Sequence, residues 1–270
     1  MGGIGYTHAR CYKNNPLANL IAVCDIVKEK ADKAAEEFGC RAFYDEEEML
    51  KALPELDIVS VTTSGLENGS FHYEPSMLAL SYGKNVLVEK PICADIRDAR
   101  ELVAYARERE KECGKNFRFT LTTNGMLVDD DVIDFANREM SNVVLSLDGR
   151  KEVHDRYRVD YAGKGSWEKI VPKFQKFVQA REGKGYYMRG TFTHANPDFL
   201  EDIKTMLDLG FNELSMEPVV CAAGDPSELT KEDLTIVMDQ YEKLAQLMLQ
   251  KDKEGKPFTF YHYMIDLTGG

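Results

Sequence analysis

The chain has 270 residues, room for one large domain or two ordinary ones. Hydrophobic residues at 43% and charged residues at 30% give a globular balance that excludes wholesale disorder. The net charge of -12, from 34 basic and 46 acidic side chains, excludes nucleic acid as an expected partner and a polybasic membrane anchor, because both need clustered Lys and Arg.

In chain order, short apolar runs alternate with longer amphipathic ones. Leu20 to Cys24 reads as a strand and Val27 to Phe38 as a helix. A helix is predicted at Asp45 to Ala52, a strand at Ile58 to Thr62, a helix at Tyr73 to Ser81 and a strand at Asn85 to Glu89. A helix follows from Asp95 to about Lys111, and Asp45 and Asp95 are candidate N-caps. The second half continues with strands at Phe117–Thr123, Val143–Leu147, Tyr187–Thr193 and Glu213–Val219. Between and after these come helices at Asp129–Glu139, Trp167–Arg181, Asp198–Leu209 and Lys231–Lys251, with a final strand at Phe258–Tyr263. Continuous rather than alternating apolar strands joined by helices indicate parallel sheets, so the fold class is α/β throughout. The expected seam divides 1–108 from 109–270. No apolar run reaches the roughly eighteen residues of a membrane span, and no signal-peptide core opens the chain, so a cytoplasmic protein with no membrane partner is expected.

Gly2-Gly3-Ile4-Gly5 precedes a helix predicted from about Tyr6. Gly2 and Gly5 fit the second and third glycines of a phosphate-binding loop, with the phosphate on the helix N-terminus; the alternative is an ordinary turn. Asp25 ends the next strand, where a carboxylate would accept the ribose hydroxyls of NAD, or simply cap a helix. Glu89-Lys90-Pro91 ends another strand, where ligands meet parallel sheets. There Glu89 and Lys90 form either a solvated ion pair or a site in which the Lys90 ammonium meets a nicotinamide or a substrate oxygen. Gly-Gly-Ile-Gly-x-x-His-Ala, Asp25 and Gly83 to Pro91 resemble the dinucleotide-binding domain of the Gfo/Idh/MocA oxidoreductases, over about residues 1–105. The resemblance implies NAD or NADP as cofactor, a small-molecule ligand, and Lys90 as the catalytic residue. That family draws its catalytic Asp and His from a following α/β domain, which is not recognisable here.

Thr122-Thr123-Asn124-Gly125 and Ser146-Leu147-Asp148-Gly149 follow successive strands, either as turns or as the polar rim of a barrel. With His154-Asp155 and Gly190 to Thr193, they resemble the later strands of a radical S-adenosylmethionine barrel. The similarity is nearest to maturases of six-cysteine (SCIFF) peptides, which install thioether cross-links. It implies S-adenosylmethionine near Asn124, Ser146 and Asp148, and a peptide substrate. The six cysteines, Cys11, Cys24, Cys40, Cys93, Cys113 and Cys221, contradict the chemistry: the nearest pair, Cys11 and Cys24, is thirteen apart. A Cys-x3-Cys-x2-Cys loop is absent, so neither a [4Fe–4S] cluster nor another metal is expected. His194 and His262 read as packed, hydrogen-bonded rings rather than ligands.

The expected architecture is therefore a truncated Rossmann-like parallel sheet, lacking its first strand, followed by part of a (β/α)6 barrel. A missing central strand orphans backbone groups at about 1–3 kcal/mol each, against about 5–15 kcal/mol of total stability, unless Phe117–Thr123 fills the gap. Three readings stand: an NAD(P)-binding oxidoreductase fragment, a radical maturase fragment, or a non-catalytic composite.

Overall fold

A computed structural model describes residues 1–63, 71–93, 95–114 and 116–264, excepting the side chain of Cys113. The chain divides into two compact units, Met1–Phe117 and Arg118–Gly270. The boundary lies beyond residue 108 because the helix spanning that position runs unbroken from Ile96 to Cys113.

The first unit runs α1 (Gly3–Asn14), β1 (Ala22–Cys24), α2 (Lys28–Phe38), β2 (Arg41–Phe43), α3 (Glu46–Ala52), β3 (Ile58–Val61), α4 (Tyr73–Ser81), β4 (Asn85–Val88) and α5 (Ile96–Cys113). Of its helices, α3 and α5 start where the sequence supplies caps: Asp45 accepts from Glu48 N at 2.9 Å and Asp95 from Arg97 N at 2.8 Å. β1 pairs in parallel with β2, and β3 with β4, but the two pairs form separate sheets. Among the described residues no strand pairs with both β1 and β3. Phe117–Thr123 does not do so; that segment supplies Phe119–Thr123 to the second unit's sheet, where a longer ladder rewards it. The first unit's core is small, centred on Ala9, Val23, Ala34, Ala35 and Phe38.

The second unit carries β5 (Phe119–Thr123), α6 (Asp130–Glu139), β6 (Met140–Ser146), α7 (Lys151–Tyr157), α8 (Trp167–Ala180), β7 (Gly185–Phe192), α9 (Leu200–Asp208), β8 (Glu213–Pro218), α10 (Lys231–Lys253) and β9 (Thr259–Phe260). The five strands form one parallel sheet in chain order, β5-β6-β7-β8-β9. Successive crossovers of one hand then lay the helices along one face, as in the wall of a barrel. That face holds a large core, with Val143, Leu145, Met188, Leu214 and Met216 packed on Phe174, Phe177, Ile203, Met206 and Leu244. Two elements were not foreseen: β2, only three residues long, and α7, whose seven residues are mostly polar. The last expected strand is shorter than predicted, because the chain turns into a 3₁₀ segment at Tyr261–Tyr263. Among the described residues no helix is long and apolar enough to cross a membrane.

Candidate functional site

In the first unit the helix begins three residues earlier than the sequence suggested. Gly2 is the extended N-cap of α1, and the first helical bond runs from Tyr6 N to Gly2 O at 3.0 Å. The N–H groups of Gly3, Ile4 and Gly5 therefore point beyond the helix end. Gly5 is buried, and a Cβ placed on it would come within 2.9 Å of Thr62 Oγ1. Only glycine lets α1 approach the end of β3 this closely. Asp25, just past β1, accepts from Val27 N at 2.8 Å through Oδ1 while Oδ2 pairs with the Met1 ammonium. The predicted Gly2, Gly5 and Asp25 thus gather at the same, C-terminal ends of the strands.

One turn along α1, His8 joins the ends of two other strands. Its Nδ1 lies 2.8 Å from Ser60 Oγ and its Nε2 2.9 Å from Glu89 Oε1. Glu89 also accepts from Lys90 N at 3.2 Å, and these N–H partners, Lys90 first, hold its carboxyl below the usual carboxylate range. The Lys90 side chain is exposed at the end of β4. His8 and Ser60 were given no role from sequence. The sequence signal was the spacing of His8 three residues after Gly5, which puts both on one helix face.

A cavity of about 790 Å³ opens beside this cluster, lined by Met1, Gly5, His8, residues 20–25 of β1 and its approach, and residues 57–63 around β3. Glu46 also lines it; one of its oxygens, Oε1, is buried without a hydrogen-bond partner, and burial pushes its carboxyl up to about 7. Burial likewise pushes the Cys24 thiol up to about 11.

In the second unit the strand face opposite the core is polar. Alternation and register align Thr122 with Val144 and Tyr187, and Ser146 with Arg189 and Ser215. Glu217 stands next to this row, accepting from Ser215 Oγ at 2.8 Å and lying 3.3 Å from His262 Nε2. Arg189, exposed at the centre, was missed because a lone Arg in an apolar strand carries no motif. Of the predicted residues, Asn124 is exposed just after β5 and accepts from Met126 N at 3.2 Å, while Ser146 ends β6. Asp148, 3% exposed, receives Arg158 through Nε at 2.6 Å and Nη2 at 3.0 Å, and Thr191 N at 3.0 Å. Its oxygens thus tie β7 and α7 together at the rim. His154 is fully buried against it, with Nε2 2.9 Å from Ser166 Oγ, and burial lowers its ring to about 4. His262 packs against Tyr241, whose hydroxyl is 2.9 Å from Nδ1, and His194 pairs with Asp233 at 2.7 Å.

The parallel sheets, with polar clusters at their strand ends, define two α/β units. Residues 1–117 match the family described as oxidoreductase family, NAD-binding Rossmann fold. Over 118 residues the chain is 33% identical to D-glucoside 3-dehydrogenase of Escherichia coli, covering 43% of this chain and 32% of that protein. Over 82 residues it is 33% identical to the cysteine-type anaerobic sulfatase-maturating enzyme of Clostridium novyi, covering 30% of this chain and 22% of that protein. The structure of tagged anSMEcpe with bound AdoMet superposes with a TM-score of 0.57 at 18% identity, covering 66% of this chain and 49% of that one. That share exceeds the first unit, so the common fold extends into the second. The chain spans about a third of the length of the matched dehydrogenase and about half of the solved maturase.

The residues present do not fit the iron–sulfur cluster that a radical S-adenosylmethionine fold implies. A [4Fe–4S] cluster takes about three or four thiolates, and Cys221, exposed, is the one cysteine in residues 118–270. Among the described residues no three His, Cys, Asp or Glu side chains converge as a metal site.

Proposed function

We propose that this chain is a composite of two families whose retained activity is binding of a nicotinamide dinucleotide by the first unit, without a full catalytic cycle. The observation that carries the reading is the gathering of the α1 N-terminus, Asp25 and the Glu89-Lys90 strand end at the C-terminal ends of parallel strands. Ligands of open parallel sheets bind at that edge. The N–H groups of Gly3, Ile4 and Gly5 would hold the pyrophosphate, with Gly2 and Gly5 keeping the approach free of side chains. The Asp25 carboxylate would accept the ribose hydroxyls, and it favours NAD over NADP because it repels a 2′-phosphate. Bound NAD(P) supplies hydride-transfer chemistry. Lys90 would place a proton donor beside it, oriented through Glu89 and His8.

Isothermal titration of the full chain with NAD and NADP tests this. Heat of binding is expected, stronger for NAD. Asp25→Ala should weaken NAD by about tenfold to a hundredfold, the worth of a hydrogen bond to a charged group. No heat with either nucleotide would dispose of the reading.

A second reading rests on the Ser146-Arg189-Ser215 row. Its hydroxyls and guanidinium suit the ribose and carboxylate of S-adenosylmethionine, with Asn124 and Asp148 at the rim and a peptide as the partner. Equilibrium dialysis with S-adenosylmethionine checks it; Arg189→Met should abolish retention, and retention unchanged by that substitution would reject the row as the site.

A further inference from the structure

His8 stands between a hydroxyl and a carboxylate. Its Nδ1 lies 2.8 Å from Ser60 Oγ and its Nε2 2.9 Å from Glu89 Oε1, both within hydrogen-bond range. The three residues come from α1, β3 and the end of β4, and the imidazole and carboxylate are largely buried, at 19% and 23% exposed. The acceptor decides which nitrogen carries the proton. Lys90 N donates to Glu89 Oε2 at 3.2 Å, and this N–H, followed by His8, holds the carboxyl below the usual carboxylate range. Glu89 is therefore ionised at neutral pH and can only accept. The proton of the neutral ring is then fixed on Nε2, and the Nδ1 lone pair faces the Ser60 hydroxyl. Tyr12, one turn further along α1, meets the ring edge-on with centroids 6.5 Å apart and limits its rotation.

Carboxylate, imidazole and hydroxyl in this order form the relay that activates a serine nucleophile, which is recognised by geometry and roles rather than by chain order. Such a relay acts only where a substrate can reach it and where donors meet the charge that develops. His8, Ser60 and Thr62 line the same cavity of about 790 Å³. Ser60 and Thr62, two residues apart, face the same side of the sheet. α1 covers that side, because a Cβ on Gly5 would come within 2.9 Å of Thr62 Oγ1. The Thr62 hydroxyl and the partial positive charge at the start of α1 thus lie one pleat beyond Ser60. The rest of the wall includes Leu20, Ile21, Val23, Ile58 and Val59, which suit an apolar chain.

From this we infer that Ser60, His8 and Glu89 form an acyl-transfer site, which hydrolyses carboxylic esters with a short apolar acyl group. Ser60 Oγ bonds to the ester carbonyl carbon as its proton passes to His8 Nδ1. The tetrahedral oxyanion is met by the Thr62 O–H and the start of α1. The bond from carbon to the alcohol oxygen then breaks, and the alcohol leaves with the proton from Nδ1. Water next gives a proton to Nδ1 and its oxygen to the acyl carbon. The Oγ–carbon bond breaks, Oγ takes the proton back, and the carboxylic acid is released. Glu89 touches no reacting atom; it is a positioning residue that keeps Nδ1 free to act as base. The site needs no nucleotide and goes beyond the nucleotide reading.

The test uses the full chain without nucleotide. Hydrolysis of p-nitrophenyl butyrate is followed by absorbance, and diethyl p-nitrophenyl phosphate, which phosphorylates an activated serine, is followed by peptide mass mapping. Label at Ser60 and ester turnover are expected together, and Ser60→Ala should remove both. His8→Gln should slow both by about a hundredfold or more, the worth of a general base. Glu89→Gln should slow both and also redistribute the His8 ring proton between its two nitrogens in a nitrogen-15 spectrum, which loss of a merely structural carboxylate would not do. Absence of label at Ser60 in the parent chain would overturn the inference, whatever the variants do. So would label at Ser60 whose rate His8→Gln leaves unchanged.

Discussion

Gly149 offers a quantitative check on the second unit. Its φ is +96°, and a Cβ there would lie 2.3 Å from Asp202 Cβ, 2.6 Å from its Cα and 2.8 Å from its backbone O. The first term in Gly149→Ala is backbone strain, about 1–3 kcal/mol for a side chain forced to positive φ. The second is overpacking, again about 1–3 kcal/mol, in the upper half because two of the three atoms are backbone and cannot swing away. Asp202 is fully buried and anchored by Arg150 at 2.7 Å and Asn196 at 3.1 Å, so it has little freedom to retreat. Together the terms come to about 4 kcal/mol, or about 8–16 °C in Tm for a unit of this size. Trp167, the single tryptophan, donates from Nε1 to Gly149 O at 2.8 Å, so its fluorescence reports unfolding at the perturbed site. Two further glycines separate the terms. Gly163 has φ +73° with nothing within 4 Å of a Cβ, so Gly163→Ala carries strain alone. At Gly190, in β7, a Cβ would meet Met216 Sδ at 2.3 Å and Leu147 O at 2.7 Å, so Gly190→Ala carries crowding alone. Each should cost less than Gly149→Ala. A Gly149→Ala melt within about 2 °C of the parent, or no lower than that of Gly163→Ala, would refute the reasoning.

Arg181 is 1% exposed, and its guanidinium donates to the carbonyls of Ala136, Met140, Ser141 and Gly185 at 2.6 to 3.3 Å. Arg181→Met orphans these acceptors at about 1–3 kcal/mol each and should leave little folded second unit by Trp167 fluorescence; Arg181→Lys, lacking the planar fork, should rescue only part. His154 contributes to the second unit's pH dependence. Its folded value near 4 lies below the ordinary 6.5, so the unfolded chain binds the extra proton between those values. The second unit should be at full strength above pH 6.5 and lose stability as pH falls toward 4. Urea midpoints of Trp167 fluorescence at pH 7.5, 5.5 and 4.5 check this, and a flat series would contradict a neutral buried ring.

Both resemblances rested in part on polar residues at strand ends, and Asp25, Glu89, Asn124 and Ser146 do lie at or just past the ends of β1, β4, β5 and β6. A strand end is a position that periodicity locates well, because the apolar run stops there. Helix caps were equally readable, since the bond from Asp45 or Asp95 to an N–H two or three residues on is local chemistry. The start of α1 was less so: glycines carry no helix signal, and it took packing of Gly5 on Thr62 to extend the helix back to Gly3. α7 escaped because its segment, Lys151–Tyr157, is mostly polar; it is held by Asp148 and Ser166, through His154 and Arg158.

Composition and local pattern by themselves determined that the chain is α/β and pointed to a different family resemblance in each half. Only the tertiary structure decided which strands pair. Phe117–Thr123 was free by sequence to join the first sheet, yet its residues Phe119–Thr123 pair with β6, because register and burial are set by long-range partners. His8 gained partners at Ser60 and Glu89, 52 and 81 residues away, and Arg189 found its row across three strands. Contacts between residues so distant in sequence are set by how the elements pack, which no local window contains.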